Sequence, residues 1–287
     1  MAELCQILYS EEYSSTMGAL RSSLEKKAYT EEALELTEKA LDLLASHYTT
    51  WHYRFDIVTH LQKNLFDELD WCEEVALENQ KNYQIWNYRQ RIIEKIMSDP
   101  VLAAQFHHKR EYPILDMMLE QDTKNHHVWS HRKWFVERFA LHRDEAELAF
   151  TNKLIEADAR NNSAWTHRFF LKFKGGDLSE DEIVSEIDFV KSQIDLCPQN
   201  PSTWNYIGGI FNQTTRDLTQ LKDFCLIYAD IEKDVISSSF ALETLAKIAI
   251  LEGRIEDADR IYEALSTKYD PIRKNYWEYL RKKMRAN

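Results

Sequence analysis

The stretch that decides the fold reads Lys124-Asn125-His126-His127-Val128-Trp129-Ser130-His131-Arg132. Its Asn is followed four positions later by a Trp and three positions after that by an Arg. With two other full copies and two incomplete ones, the pattern occurs five times, around residues 47–54, 82–89, 125–132, 161–168 and 200–207. Successive tryptophans are 35, 43, 36 and 39 residues apart. Repetition at this period is typical of a solenoid, in which each helical hairpin is too small to bury its apolar face alone.

Each copy predicts two helices joined by a turn, with the Asn capping the second helix. Trp and Arg three residues apart share one face of that helix. We therefore expect the Trp to fill the groove to the next hairpin, and the Arg to bind a carbonyl or carboxylate of the preceding hairpin. The pattern thus predicts an all-helical array.

The segments outside the five copies are also predicted to be helical. The residues before the first copy contain a helix opened by Thr30-Glu31-Glu32. Val101–Leu119 is predicted as one helix, and Leu221–Ile231 belongs to a divergent set of C-terminal helices over residues 215–287. Because no linker or composition shift interrupts the sequence, residues 1–287 are predicted to form a single domain.

Composition narrows the class of protein. The 287 residues contain only 6 Gly and 5 Pro, which favours long helices, and their net charge of −12 argues against a general nucleic-acid-binding role. No apolar run approaches the roughly 20 residues that span a bilayer, and Met1–Ser10 lacks the pattern of a secretory signal. The scattered Cys5, Cys72, Cys197 and Cys225 favour reduced thiols over disulfides or a zinc site. We expect a cytoplasmic protein without stable membrane insertion.

The residue five before each Trp is the first candidate for function. In the three full copies it is a cation, namely Lys81, Lys124 and Arg160. A row of cations beside helix N-termini is suited to binding an anion. The alternative is that each is an ordinary solvated side chain on a hairpin turn.

Histidines are the second candidate. His127 and His131 have the i, i+4 spacing of a helical metal site. However, His131 falls in the column occupied in the other copies by Tyr53, Tyr88, His167 and Tyr206, which favours ring packing between repeats. The sequence has no H-E-x-x-H, Gly-rich phosphate loop or nucleophile elbow. We predict no metal site and no self-sufficient active site.

The repeated N-x-x-x-W-x-x-R unit resembles the repeat of protein prenyltransferase alpha subunits, above all the subunit shared by protein farnesyltransferase and type I geranylgeranyltransferase. Similar strings run along the chain: Gln6-Ile7-Leu8-Tyr9-Ser10, Tyr48-Thr49-Thr50-Trp51-His52, Lys81-Asn82-Tyr83-Gln84-Ile85-Trp86, Arg160-Asn161-Asn162-Ser163-Ala164-Trp165, Ser202-Thr203-Trp204-Asn205-Tyr206 and Ile272-Arg273-Lys274-Asn275-Tyr276-Trp277. The resemblance implies a right-handed superhelical solenoid, a crescent of antiparallel helical hairpins, wrapped around a beta subunit. That partner would hold the catalytic zinc and the isoprenoid pocket, with magnesium a further possibility at the diphosphate.

In this family the alpha subunit brings a Lys to the prenyl diphosphate from the motif Asp-x-Lys-Asn-Tyr. Asp122-Thr123-Lys124-Asn125-His126 matches it, with His126 in place of the Tyr. The resemblance therefore gives Lys124 a catalytic role, since a fixed cation stabilises the charge that builds up on the leaving diphosphate. Candidates for further contacts with the diphosphate or with the end of the peptide are His126, His127, Asn125, Tyr83, Lys81 and Arg160.

The resemblance implies transfer of a farnesyl or geranylgeranyl group to the Cys of a C-terminal CaaX motif, in proteins such as small GTPases. One alternative is the alpha subunit of the Rab-type geranylgeranyltransferase, which the two ends of the chain disfavour. The other is a non-catalytic tetratricopeptide-like scaffold, which would have no need for the Asp-x-Lys-Asn string.

Overall fold

A computed structural model describes residues 7–286 of the chain. The chain divides into two compact units, Met1–Phe139 and Ala140–Asn287. The prediction of a single domain over residues 1–287 stays a prediction. Cys5 and Gln6, which carried part of the sequence argument, lie outside the described residues.

The described part of the first unit consists of helices joined by short turns. Its α-helices are α1 (Glu11–Glu25), α2 (Glu31–Leu43), α3 (Tyr48–His60), α4 (Leu65–Glu78), α5 (Tyr83–Met97), α6 (Pro100–Gln105), α7 (Glu111–Gln121) and α8 (His126–Arg138). A 3₁₀ turn, His108–Arg110, separates α6 from α7. The second helices of the first three repeats are α3, α5 and α8.

The second unit continues the hairpins and then departs from them. Its α-helices are α9 (Glu145–Ala157), α10 (Asn162–Lys174), α11 (Glu180–Leu196), α12 (Pro201–Gln213), α13 (Lys222–Tyr228), α14 (Ser239–Leu251), α15 (Ile255–Ala264) and α16 (Lys274–Ala286). Two antiparallel strands, β1 (Ala229–Asp230) and β2 (Val235–Ile236), lie between α13 and α14. Shorter segments are the 3₁₀ turns Leu218–Leu221 and Pro271–Arg273 and a π-helical turn, Leu265–Tyr269. The all-α solenoid of helical hairpins predicted from the sequence is confirmed.

The predicted caps are present. Asn82, Asn125, Asn161 and Asn200 each accept a hydrogen bond from a backbone N–H in the first turn of the helix they precede. The same Asn side chains also tie neighbouring turns together, because Asn125 Nδ2 donates to the Gln80 carbonyl at 2.8 Å and Asn200 Nδ2 donates to the Ala159 carbonyl at 2.6 Å. Asn125 and Asn200 thus each start a helix and fix it to the preceding repeat.

The predicted tryptophan packing is also present. The Trp86 ring lies 4.8 Å from the His131 ring of the next repeat, and the Trp165 ring lies 5.1 Å from the ring of Tyr206. All four side chains are buried. The column that holds Tyr53 and His131 is therefore a packing column.

A buried carboxylate network, which the sequence analysis did not predict, lies beneath these rings. The Tyr53 hydroxyl donates to the Ala28 carbonyl, whereas each of the other four rings in the column bonds a glutamate 20 residues before it, in the first helix of the same repeat. The pairs are Tyr88–Glu68 at 2.6 Å, His131–Glu111 at 3.3 Å, His167–Glu147 at 3.0 Å and Tyr206–Glu186 at 2.5 Å.

The prediction that the repeated Arg binds the preceding hairpin was wrong for its main ion pairs. Three arginines form two-pronged ion pairs with a glutamate of the following repeat: Arg54 with Glu68, Arg89 with Glu111 and Arg168 with Glu186. Contacts to the preceding helix also exist, such as Arg89 Nη1 to the Leu69 carbonyl at 2.9 Å. The guanidinium fork matches a carboxylate better than a single carbonyl, and each buried glutamate needs a cation.

Two helix predictions were wrong. Val101–Leu119 is broken between α6 and α7, because Pro113 lacks a backbone N–H and is tolerated only in the first turn of a helix, which obliges α7 to begin near Glu111. Leu221–Ile231 ends as a helix at Tyr228, where the chain turns into β1. Strands of two residues leave no periodic signal in a sequence.

Candidate functional site

The predicted site residues of the first unit lie on the two turns that precede α5 and α8. We name this surface, formed by residues 79–83 and 121–127, the Lys81–Lys124 edge. The turn before α8 is closed by the N–H of Asn125 donating to the Asp122 carbonyl at 3.0 Å. The Asp122 carboxylate then accepts the N–H of Lys124 at 3.1 Å. This arrangement leaves the Lys124 side chain exposed at the start of α8.

Side chains join the two turns of the edge directly. Lys81 Nζ forms an ion pair with the Asp122 carboxylate, and the Gln80 amide bonds the Gln121 amide. Together with the bond from Asn125 to the Gln80 carbonyl, these contacts hold the two turns side by side. Lys81 stays mostly exposed, with 72% of its side chain accessible, so a ligand can still reach the ammonium group.

Aromatic rings flank the cations. The Tyr83 ring lies 6.1 Å from the ring of His127, which lies 5.6 Å from the ring of His126. Partial burial, together with His126 and Lys81, lowers the pKa of His127. Its neutral form, with one hydrogen-bond donor and one acceptor, is therefore favoured at neutral pH.

Six of the seven predicted site residues thus share the Lys81–Lys124 edge. The seventh, Arg160, belongs to the second unit. Its N–H donates to the Asp158 carboxylate at 2.9 Å, and its Nη2 lies 3.6 Å from Cys197 Sγ. Arg160 therefore occupies the same kind of turn as Lys124, in another repeat.

Of the two histidines with metal-site spacing, His127 and His131, the second has a structural role. His131 is fully buried, and its Nδ1 lies 3.3 Å from Gln90 Nε2 while Nε2 lies 3.3 Å from Glu111. Burial lowers the pKa of His131 against the opposing pull of Glu111. Across residues 7–286, no group of three or more His, Cys, Asp or Glu side chains is placed to hold a metal ion.

The thiols of the described residues are unpaired, as predicted for Cys72, Cys197 and Cys225. Burial raises the pKa of Cys72 and of Cys225 to about 12. Both thiols are therefore protonated and unreactive at neutral pH. None of the helices in the described part of the chain is long and apolar enough to cross a bilayer.

Sequence reasoning missed two signals at the site. Lys81-Asn82-Tyr83 carries the Lys-Asn-Tyr of the motif intact, whereas Lys124-Asn125-His126 does not. Asp122 was treated only as part of a motif, although it contacts both lysine-bearing turns. One turn has the Lys-Asn-Tyr of the motif and the other has its Asp. Together they favour a site formed by both turns rather than by one lysine.

Comparisons with known proteins agree with the repeat. The model of the protein prenyltransferase alpha subunit repeat matches residues 30–61, 65–96, 108–139, 144–171 and 183–214. The protein farnesyltransferase/geranylgeranyltransferase type-1 subunit alpha of Candida albicans is 52% identical, over 96% of this chain and 90% of its own length. A Saccharomyces cerevisiae geranylgeranyl transferase type-2 subunit alpha is 24% identical over 94% of this chain.

A solved structure is also similar. It is the Candida albicans protein geranylgeranyltransferase-I complexed with GGPP, with 51% identity and a TM-score of 0.93 over 98% of this chain and 93% of the other. The higher identity to the type-1 subunit supports that interpretation over the Rab-type alternative.

Proposed function

The chain belongs to the protein prenyltransferase alpha-subunit family, and we propose that it works as the alpha subunit of a heterodimer that prenylates the Cys of a C-terminal CaaX motif. The observation that carries the proposal is the 52% identity to a type-1 alpha subunit over nearly the whole chain. The transferred group is farnesyl or geranylgeranyl, taken from its diphosphate. A tetratricopeptide-like scaffold is less well supported, because a scaffold has no use for a family-specific lysine turn.

We assign the prenyl diphosphate to the Lys81–Lys124 edge. Negative charge grows on the diphosphate as its bond to the isoprenoid carbon breaks. Ammonium groups fixed beside it stabilise that charge more in the transition state than in the ground state. The dipole of α8, whose N-terminus lies at this edge, adds a favourable electrostatic contribution for an anion. In this proposal Lys124 is the catalytic cation and Lys81 assists it.

The aromatic side of the edge would then serve orientation. His126 stands where the family motif has Tyr and can donate a hydrogen bond to the diphosphate. Tyr83, Asn125 and His127 complete a polar surface suited to the diphosphate or to the end of the peptide. Arg160 is the least supported of the predicted contacts, because it contacts Asp158 and Cys197 rather than residues of the edge.

The partner and cofactors follow from the same proposal. A beta subunit would supply the isoprenoid pocket and the zinc that activates the acceptor thiol, with magnesium a further ligand of the diphosphate. The described residues of this chain do not fit a zinc site, since no three ligating side chains converge among them. No step assigned to this chain involves a metal. The protein substrates would be CaaX proteins such as small GTPases, and the compartment the cytoplasm.

The test is co-expression with a candidate beta subunit, followed by single-turnover transfer from each prenyl diphosphate to a CaaX peptide. Lys124→Ala should slow transfer about 10²-fold without preventing assembly, since one lost electrostatic contact costs that order in rate. Lys81→Ala should slow it less. Arg160→Ala serves as the matched cation outside the edge and should leave the rate within about twofold.

Three outcomes would contradict the proposal. Assembly without transfer from either diphosphate would favour a scaffold. Activity only toward Rab-type substrates would favour the sibling enzyme. An unchanged rate in Lys124→Ala together with a reduced rate in Lys81→Ala would move the catalytic role to Lys81.

A further inference from the structure

Asp122 occupies an unusual place, because one carboxylate contacts both lysine-bearing turns. One oxygen accepts the backbone N–H of Lys124 at 3.1 Å, and the other forms the ion pair with Lys81 Nζ. These two bonds lower the pKa of Asp122, the Lys81 contact most of all. The group is therefore an anion throughout the neutral range.

A carboxylate is an unexpected neighbour for a diphosphate site. Like charges repel, so an anion beside the site weakens binding of the ground state unless a cation stands between them. Its backbone bond to Lys124 could be made equally well by the neutral Asn, which forms the same type of turn. Only the contact with Lys81 requires the negative charge.

We propose that Asp122 is a positioning residue that fixes the Lys81 ammonium beside Lys124, so that both cations meet one leaving diphosphate. This inference rests on the proposed function of the Lys81–Lys124 edge. A lysine side chain has many rotamers, and holding it in place before the substrate arrives removes that ordering cost from the reaction. The cost of the arrangement is weaker binding of the prenyl diphosphate in the ground state.

The proposal predicts a split between binding and chemistry. Asp122→Asn keeps the turn, removes one negative charge and releases Lys81. In the heterodimer, farnesyl and geranylgeranyl diphosphate should bind about threefold to tenfold more tightly, because a repulsive charge has been lost. The single-turnover rate should fall about tenfold, because Lys81 is no longer oriented. A purely structural role would not raise affinity while lowering the rate.

Asp99→Asn is the matched control, because Asp99 also accepts backbone N–H groups at a turn of the first unit, at 2.8 and 3.2 Å, without an ion pair to Lys81. Affinity and rate should stay within about twofold of the wild-type values in this variant, since Asn caps helices as well as Asp does. The thermal midpoint of each variant checks that it is folded.

A double-mutant cycle separates this inference from the proposed function. If Asp122 acts through Lys81, Asp122→Asn should change the rate less than about twofold in a Lys81→Ala background. An equal loss in both backgrounds, or an unchanged rate and affinity in Asp122→Asn alone, would overturn the positioning role. If neither Lys81→Ala nor Lys124→Ala changes the single-turnover rate, the proposed function of the edge is overturned instead.

Discussion

The two units place a cation at the same turn but give it different neighbours. In the first unit Lys81 pairs with Asp122, and in the second unit Arg160 contacts the thiol of Cys197. Asp122 and Cys197 are equivalent, since each stands seven residues before the Trp of its repeat. The buried network does not differ in this way. Glu68 in the first unit and Glu186 in the second each bind one Arg and one Tyr. The interior therefore maintains the architecture, while the turns are where repeats can diverge in function.

The largest effect should come from the shared interior. Glu111→Ala in the first unit and Glu186→Ala in the second should each lower the free energy of unfolding by about 3–5 kcal/mol, because each leaves a buried Arg without its partner. Chemical denaturation of the heterodimer measures both. A loss confined to one of the two variants would break the equivalence of the units.

A paired control sharpens that result. Replacing both members of one ion pair, with Arg89→Met and Glu111→Leu together, should recover most of the lost stability, since no buried charge is then left alone. If the double replacement is as unstable as Glu111→Ala, cavity formation rather than the unpaired charge dominates.

Exchange of the turn residues tests the divergent part. Asp122→Cys gives the first unit the neighbour found in the second and should slow prenyl transfer about tenfold, because a neutral thiol does not hold an ammonium group. The reverse change, Cys197→Asp, should leave the rate within about twofold. Equal single-turnover rates for the two variants would mean that the turns are functionally alike.

The smallest effect concerns pH within the shared interior. Because burial lowers the pKa of His131, the unfolded chain binds more protons than the folded chain once the pH drops below the ordinary imidazole value of about 6.5. Stability should therefore decline as the pH falls from about 7.5 to about 5. Glu111, with a pKa of about 2, stays ionised in this range.

His131→Tyr copies the side chain found at Tyr88 and should flatten this pH dependence. The groups facing His131 are Glu111 and Gln90, with Arg89 bound to the same carboxylate and the rings of Trp86 and Trp134 against it. Denaturation midpoints of wild type and variant at several pH values measure the slope. If the midpoints of wild type and His131→Tyr change equally with pH, the pH dependence comes from groups other than His131.

Much of the fold could be predicted because its signals are local. The Asn caps and the cations of the turns depend on residues within a single repeat, and the tryptophan packing follows from one position that recurs in every repeat. The Arg–Glu pairs could not be predicted as readily, because their separations of 14, 22 and 18 residues follow loop lengths rather than a period. The constant spacing of 20 between each glutamate and its ring partner was nevertheless readable from Glu68, Glu111, Glu147 and Glu186.

The candidate site was predictable only in part for the same reason. Lys81 and Lys124 were found by their equivalent places in the repeat. That one carboxylate contacts both turns depends on the offset between stacked repeats, which no single repeat encodes. The break before α7 and the β1–β2 hairpin escaped prediction because short elements have little periodicity.

The direction of the Arg–Glu pairs gives the array a head and a tail. The three two-pronged pairs run forward along the chain, from the arginine of one repeat to the glutamate of the next, while the longer contacts of Arg54 with Glu38 and of Arg89 with Glu73 run back. At the first repeat, the place of the receiving glutamate is filled by buried Ala33, and at the fifth the place of the sending arginine is filled by buried Ile207. A duplicated middle repeat would be flanked by repeats that offer an arginine on one side and a glutamate on the other. A repeat added before Ala33 or after Ile207 would meet an apolar side chain in place of the charged partner.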